Sequence, residues 1–459
     1  MVSHDPGTNV GPGPSSPPGG SQRASGGLPD DRQQAAEPSP EPSAEPSAEP
    51  SAEPSRQPSA EPSRVASTGP SRPPVVRRLL DAASGPLHPV ARDTLLAAVE
   101  VGWADPARLH AEGRRARALL DRSREVVAAG LGVRPTEVSF LPSGPTALAR
   151  AVDGLAYAAR RRGARTVASA VEHSAVLVPG RARAAAADDP ALFAEVAVDS
   201  VGRLDLDAWR NALAVPGSVV AALQSANGEV GTRQPLAAAR DAAAAHGIPL
   251  VVDAIASLGR DDVPRDWDVL VGEARSWGGP PLGVLVVREG VRWHWPEARA
   301  DVEQGRADVT PWVPLALAAA EAWQQTTATR PADTQVARAL VDDIRRAASM
   351  VPDTEVVGDP DDRLPHVVTF SSLYVDGEAV VGALDAAGFA VASGSACTSS
   401  TLEPSHVLAA MGVLTHGNVR VTLPLPAVSP ALADDVRAFT AAIAPSIRAV
   451  RDQLGVGDL

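Results

Sequence analysis

The sequence predicts an α/β fold: a mostly parallel sheet flanked by helices over residues 75–330, then a smaller C-terminal α+β domain over 331–459. Three observations predict it. Short apolar runs alternate with Ala-rich amphipathic stretches from Val138 to Val287, the pattern of strands joined by helical crossovers. The pattern then changes to long helical stretches interspersed with isolated strands. Polar residues also stand at the ends of several apolar runs, the place where sites collect in open α/β sheets.

Residues 1–74 are set apart from this fold. From Ala36 to Arg64 a four-residue unit recurs as AEPS, PEPS, AEPS, AEPS, AEPS, RQPS, AEPS. Proline every fourth residue blocks helix and sheet ladders, and almost nothing apolar is present to bury, so a disordered tail biased to polyproline II is expected. A spacer, a docking segment and a misassigned start all fit it.

Order is expected from Val75. Glu112–Leu131 carries an apolar stripe through Ala116, Leu119, Leu120, Val126, Val127 and Leu131, and reads as a helix. Strands are expected at Val138–Leu141, Thr166–Ser169, Glu195–Val198, Val219–Leu223, Pro249–Val252, Val269–Val271 and Val284–Val287. Pro145–Ala159 and Pro235–His246 are among the crossover helices. Two helices, Trp312–Gln325 and Thr334–Met350, lead into the smaller domain. There strands are expected near Glu355–Val357, Val367–Phe370 and Asn418–Leu423, with helices at Glu378–Ala387, Ser405–Met411 and Pro430–Leu454.

Composition narrows the function. A net charge of -13 argues against nucleic acid and leaves no basic patch for an anionic membrane. No apolar run is long enough for a transmembrane helix, and MVSHDPGTNVGPG has neither the basic nor the apolar region of a secretion signal. One cysteine, Cys397, excludes an intramolecular disulfide and a multi-thiolate metal site and suits a reducing cytoplasm. All 42 basic residues are arginine. A codon bias towards arginine accounts for most of that, but not for the loss of a lysine that chemistry requires.

Cys397 lies in VASGSACTSSTLEPSHVL, a run too small and polar to pack, so it is expected on a mobile surface loop rather than as a buried small hydrophobe. Ser143, Gly144 and Thr146 in LPSGPTAL sit between a strand and a helix, which is anion-binding geometry. Asp253 ends IPLVVD, Asn227 ends ALQSAN, and His173 opens a helix in VEHSAVL. Alone, each has an ordinary structural explanation: a helix cap, a turn, a packed histidine.

Taken in order, these segments resemble the cysteine desulfurases of the class V aminotransferase group. The resemblance runs from about Leu79 to Arg451 through LLDAAS, SFLPSGPT, VEHSAVL, SANGEVGTRQP, VVDAIASLGR, SWGGPPLGVLVVREG, SGSACTSSTLEPSHVL and GNVRVTLPLP. It implies fold-type-I pyridoxal-phosphate architecture. It also implies a role for each matched residue. Gly144 and Thr146 match the phosphate-binding turn, and His173 the imidazole that stacks on the cofactor ring and moves protons. Asn227 matches the amide near the phenolic oxygen, and Asp253 the carboxylate that keeps the pyridine nitrogen protonated. Arg420 matches the guanidinium that clamps the substrate carboxylate. Thr310 matches a threonine that reaches the partner subunit's phosphate, and Cys397 the nucleophile that becomes a persulfide.

The sequence departs from that pattern around the cofactor. The family lysine lies just before Trp-Gly-Gly-Pro, and Ser276 stands there; a serine forms no Schiff base, and the chain contains no lysine. Glu273 replaces a phosphate-holding serine, Ala256 a glutamine, Val309 the glycine before Thr310, and Ala147 the glutamate after Thr146. Arg275 either pairs with Glu273, the favoured reading, or binds an anion itself. The leading expectation is a desulfurase-like pseudoenzyme, as a homodimer or paired with an active paralogue, in which pyridoxal phosphate has no covalent anchor. Two alternatives remain. One is an active enzyme that converts L-cysteine to L-alanine with the cofactor held non-covalently. The other is a sulfur-relay protein that accepts persulfide on Cys397 from a sulfur-donor protein.

Overall fold

The computed structural model describes residues 78–298, 302–393 and 404–456, all within the unit Arg72–Leu459. The tail expected over 1–74 and the loop residues around Cys397 lie outside the described residues. A short strand β1 (Arg78–Leu79) precedes helices α1 (Pro89–Val101) and α2 (Ala111–Leu131). Gly132, left-handed at φ 69°, ends α2 by donating to the carbonyls of Ala128 and Ala129.

The large sheet follows as β2 (Val138–Leu141), β3 (Arg165–Ser169), β4 (Phe193–Val196), β5 (Ser218–Gln224), β6 (Leu250–Asp253), β7 (Val269–Glu273) and β8 (Gly283–Val287). Its crossovers contain α3 (Gly144–Ala159), α4 (Ser174–Ala186), α5 (Leu206–Leu213) and α6 (Leu236–Ala244). Strand order is β2-β8-β7-β6-β5-β3-β4. The pairs from β7 through β6, β5 and β3 to β4 are parallel, and β8 is antiparallel to both its neighbours. Both faces are covered, so the central strands read as unbroken apolar runs. Along β5, Ala221 and Leu223 join the core containing α2, α5 and α6, while Val220 and Ala222 join the core containing α3.

Beyond the sheet runs α7 (Val313–Ser349), then β9 (Thr354–Val357), β10 (Val367–Ser372), α8 (Gly377–Ala386), β11 (Phe389–Ala390), α9 (His406–Met411), β12 (Asn418–Thr422) and α10 (Leu432–Gln453). An antiparallel sheet orders β12-β10-β9, and β11 pairs in parallel with β1. One expectation changes here. The helices expected at Trp312–Gln325 and Thr334–Met350 form one 37-residue helix that passes through Pro331. The division expected at 330/331 therefore falls inside α7. Its first half, Val313 to Trp323, packs into the large-sheet core, and Ala337 to Ala348 pack with β10, β12 and α10. Packing at both ends outweighs the one backbone hydrogen bond that proline removes.

Candidate functional site

Parallel neighbours end on the same edge of a sheet, so β5, β6 and β7 bring their last residues, Gln224, Asp253 and Glu273, to one place. The small antiparallel sheet faces that edge through Arg420 and Thr422 of β12 and Val367 of β10. Between them lies a cavity of about 290 Å³, also lined by His173, Asn227, Arg275 and Ser276. The structure thus gathers six of the expected residues around one cavity: His173, Asn227, Asp253, Arg275, Ser276 and Arg420. Gly144, Thr146 and the exposed Thr310 do not line it. Cys397 lies outside the described residues.

Most of these side chains have local work. His173 is the N-cap of α4, its Nδ1 accepting from Ala175 N at 3.0 Å, which leaves the proton of a neutral ring on Nε2. Asn227 closes a turn: Oδ1 accepts from Glu229 N and Val230 N at 2.8 and 2.9 Å, and Nδ2 donates to the Val171 carbonyl at 3.3 Å. The cap and turn considered for each residue alone are both present, and both side chains still line the cavity. Asp253 is buried and accepts from Ile255 N at 2.8 Å; burial raises its pKa, opposed by His173 and assisted by Glu273. Arg420 is buried on β12, where its charge offsets part of the burial that raises the Glu229 carboxyl.

The turn into α3 is closed from within the chain. Gly144 N donates to Glu273 Oε2 at 3.2 Å, Thr146 N to Ser143 Oγ at 3.2 Å and Ala147 N to the Ser143 carbonyl at 3.0 Å. Pro145, between them, has no N–H. The Ser143 and Thr146 hydroxyls pair at 2.9 Å. Gly283 makes room for this turn: a Cβ there would stand 2.2 Å from the Ser143 carbonyl oxygen. The favoured pairing of Arg275 is present, with its Nε 3.5 Å from Glu273 Oε1. The Ser276 hydroxyl is shared between the carbonyls of Leu258 and Glu273, at 2.9 and 2.8 Å.

Among the cavity residues that escaped the sequence reading are Glu172, Glu229, His366 and His406. A charge inside the apolar AVEHSAV was the only signal for Glu172. Its Oε1 accepts from Gln224 N at 2.5 Å, while Oε2 is buried with no hydrogen-bond partner among the described residues. Burial, with Asp253 beside it, pushes its carboxyl from 4.5 up to about 8. Burial likewise pushes Glu229 up to about 7, against the Ser405 hydroxyl and Arg420. His366 is held well below its usual 6.5 by burial and Arg260.

These shifts set a pH dependence. A raised carboxyl binds its proton more tightly folded than unfolded, so it costs stability as pH climbs from its unfolded to its folded value. The lowered histidines act in the opposite sense, but only below 6.5, where they would charge on unfolding. Between pH 6.5 and 8 the raised carboxyls are the shifted groups that act among the described residues, so stability falls by on the order of 1–2 kcal/mol for Glu172. Urea midpoints across that interval should drop for the native protein, and Glu172→Gln should flatten the curve.

Among the described residues there is no group of three or more His, Cys, Asp or Glu that could hold a metal ion, and no helix long and apolar enough to cross a membrane. Residues 82–426 match the model of the family described as aminotransferase class-V. A cysteine desulfurase (IscS) of Dictyoglomus turgidum is 30% identical over 360 residues, covering 75% of this chain and 88% of the relative. One of Cereibacter sphaeroides is 32% identical over 375 residues, covering 77% and 95%. Among solved structures, a NifS-like protein aligns with a TM-score of 0.71 at 21% identity over 81% of this chain and 99% of its own. DndA of Streptomyces lividans aligns at 0.63 and 24% identity over 73% and 96%. At those identities the structural likeness speaks to the fold, and the expected fold-type-I architecture is the one observed.

Proposed function

This chain belongs to the class V aminotransferase family, and from that premise we propose that it is a cysteine desulfurase-like protein that serves sulfur transfer without working on pyridoxal phosphate itself. The observation that carries this reading is the pair at the end of β7. Ser276, at the position matched to the lysine, spends its hydroxyl on two backbone carbonyls, and Glu273 places a carboxylate on the first N–H of α3. A phosphate dianion arriving there meets a like charge and no free first-turn N–H. The cofactor does not fit the residues present.

What persists is the sulfur-carrying segment. In the relay form of that role, Cys397 accepts sulfane sulfur from a persulfide: its thiolate attacks the outer sulfur, the donor's S–S bond breaks, and the donor leaves as a thiolate. The sulfur changes carrier with no net oxidant or reductant. Pairing with a second copy or an active paralogue belongs to the same reading, with exposed Thr310 reaching the other subunit. A second reading, an active cysteine desulfurase with non-covalent cofactor, draws its support from the names of the relatives at 30–32% identity.

The test mixes purified protein with an active cysteine desulfurase and L-cysteine, followed by peptide mass analysis. The expected result is a gain of one sulfur on the Cys397 peptide, absent in Cys397→Ser. A Cys397 that stays unmodified while the donor is fully persulfidated would overturn the carrier role.

A further inference from the structure

We propose that Glu273 is a built-in replacement for a phosphate group, its carboxylate occupying the anion position at the N-terminus of α3 and barring phosphate monoesters from the cavity. A helix start attracts anions because its first N–H groups lack partners and the aligned peptide dipoles put partial positive charge there. In this chain each first-turn donor already has an acceptor: Gly144 N has Glu273 Oε2, Thr146 N has Ser143 Oγ and Ala147 N has the Ser143 carbonyl.

The space is taken as well. A Cβ added to Gly144 would meet Glu273 Oε2 at 2.8 Å and Glu273 Cβ at 2.9 Å, so the carboxylate lies directly against the turn. Backbone position fixes this: Glu273 is the last residue of β7, opposite Gly283 of β8, and its side chain is mostly buried. Its other oxygen, Oε1, lies 3.5 Å from Arg275 Nε. The cation a phosphate would recruit is thereby committed to the carboxylate. A phosphate monoester would have to displace a tethered anion and break its ion pair at once. The start of α3 is consequently complete without any ligand. The inference goes beyond the sulfur-transfer role and stands whether or not Cys397 carries sulfur.

Pyridoxine 5'-phosphate against pyridoxine is the probe, because the two differ only in the phosphate and neither has an aldehyde to react with the N-terminus. Calorimetric titration at fixed ionic strength should find that native protein binds the phosphate ester no more tightly than pyridoxine. Glu273→Ser, which frees the Gly144 N–H and Arg275, should prefer the ester by roughly tenfold or more. Adding Arg275→Ala should take part of that preference away. Should Glu273→Ser fail to fold, Glu273→Gln carries the comparison, with a preference of about threefold expected from loss of the charge alone. A native protein that already prefers the ester tenfold, or a folded Glu273 variant with no phosphate preference, would overturn the inference. The inference rests on the reading that this chain does not work on pyridoxal phosphate, whereas sulfur loading of Cys397 is untouched by either result, so the carrier role is judged by its own test.

Discussion

Chain carrying both Ser276→Lys and Glu273→Ser, incubated with pyridoxal phosphate and reduced with borohydride, is expected to hold about one pyridoxyl group per molecule on the new lysine, where native chain holds none at that position. The two changes act on different obstacles. Lysine supplies the side-chain amine that the 459 residues lack. Serine in place of Glu273 removes the carboxylate from Gly144 N and releases Arg275. Ser276→Lys alone should label weakly, because its ammonium would face the Glu273 carboxylate and the start of α3 would stay closed. Glu273→Ser alone should not label there at all. The combined effect should therefore exceed the sum of the two, as expected for groups sharing one site. Peptide mapping separates the new lysine from the amine of Met1.

Trp277→Ala is expected to cost about 3–5 kcal/mol, the range for deleting a buried tryptophan. Trp277 is 1% exposed, donates from Nε1 to the Ala319 carbonyl at 3.0 Å, and meets the Trp323 ring edge-on at 4.9 Å between centroids. It is the dowel between the Ala274–Trp277 turn and α7, and that turn bears both Arg275 and Ser276. Space around it is specific: a Cβ on Gly259, left-handed at φ 79°, would come 2.4 Å from the Trp277 Cβ. Trp277→Phe should lose less, keeping most of the ring contact and giving up the hydrogen bond. Urea unfolding read by far-UV circular dichroism measures both.

Local chemistry was the legible part. β2 has the expected bounds, α3 starts one residue early, and the Arg275–Glu273 pair was anticipated from the exchange of residues alone. Elsewhere, distant packing decided. The strand expected at Glu195–Val198 lies at Phe193–Val196, because the Phe193 ring packs against α4 where Gly180 leaves room for it. Pro331 marks a break by its own chemistry, yet α7 continues, since its two halves are held by different cores. In the site, residues at strand ends were readable, whereas Glu172, Glu229, His366 and His406 converge from separate segments. Their buried, shifted side chains are a product of the fold and leave little trace in any one stretch of sequence.

Alanine release from L-cysteine by the purified chain alone, with saturating pyridoxal phosphate and a thiol to clear persulfide, tests the central claim most directly. On the proposed reading, in which Glu273 fills the phosphate position and Ser276 stands where an amine would, the rate should equal that of free pyridoxal phosphate and be unchanged in Cys397→Ser. Alanine formed over many turnovers per chain, and lost in Cys397→Ser, would contradict the account and establish an active cysteine desulfurase.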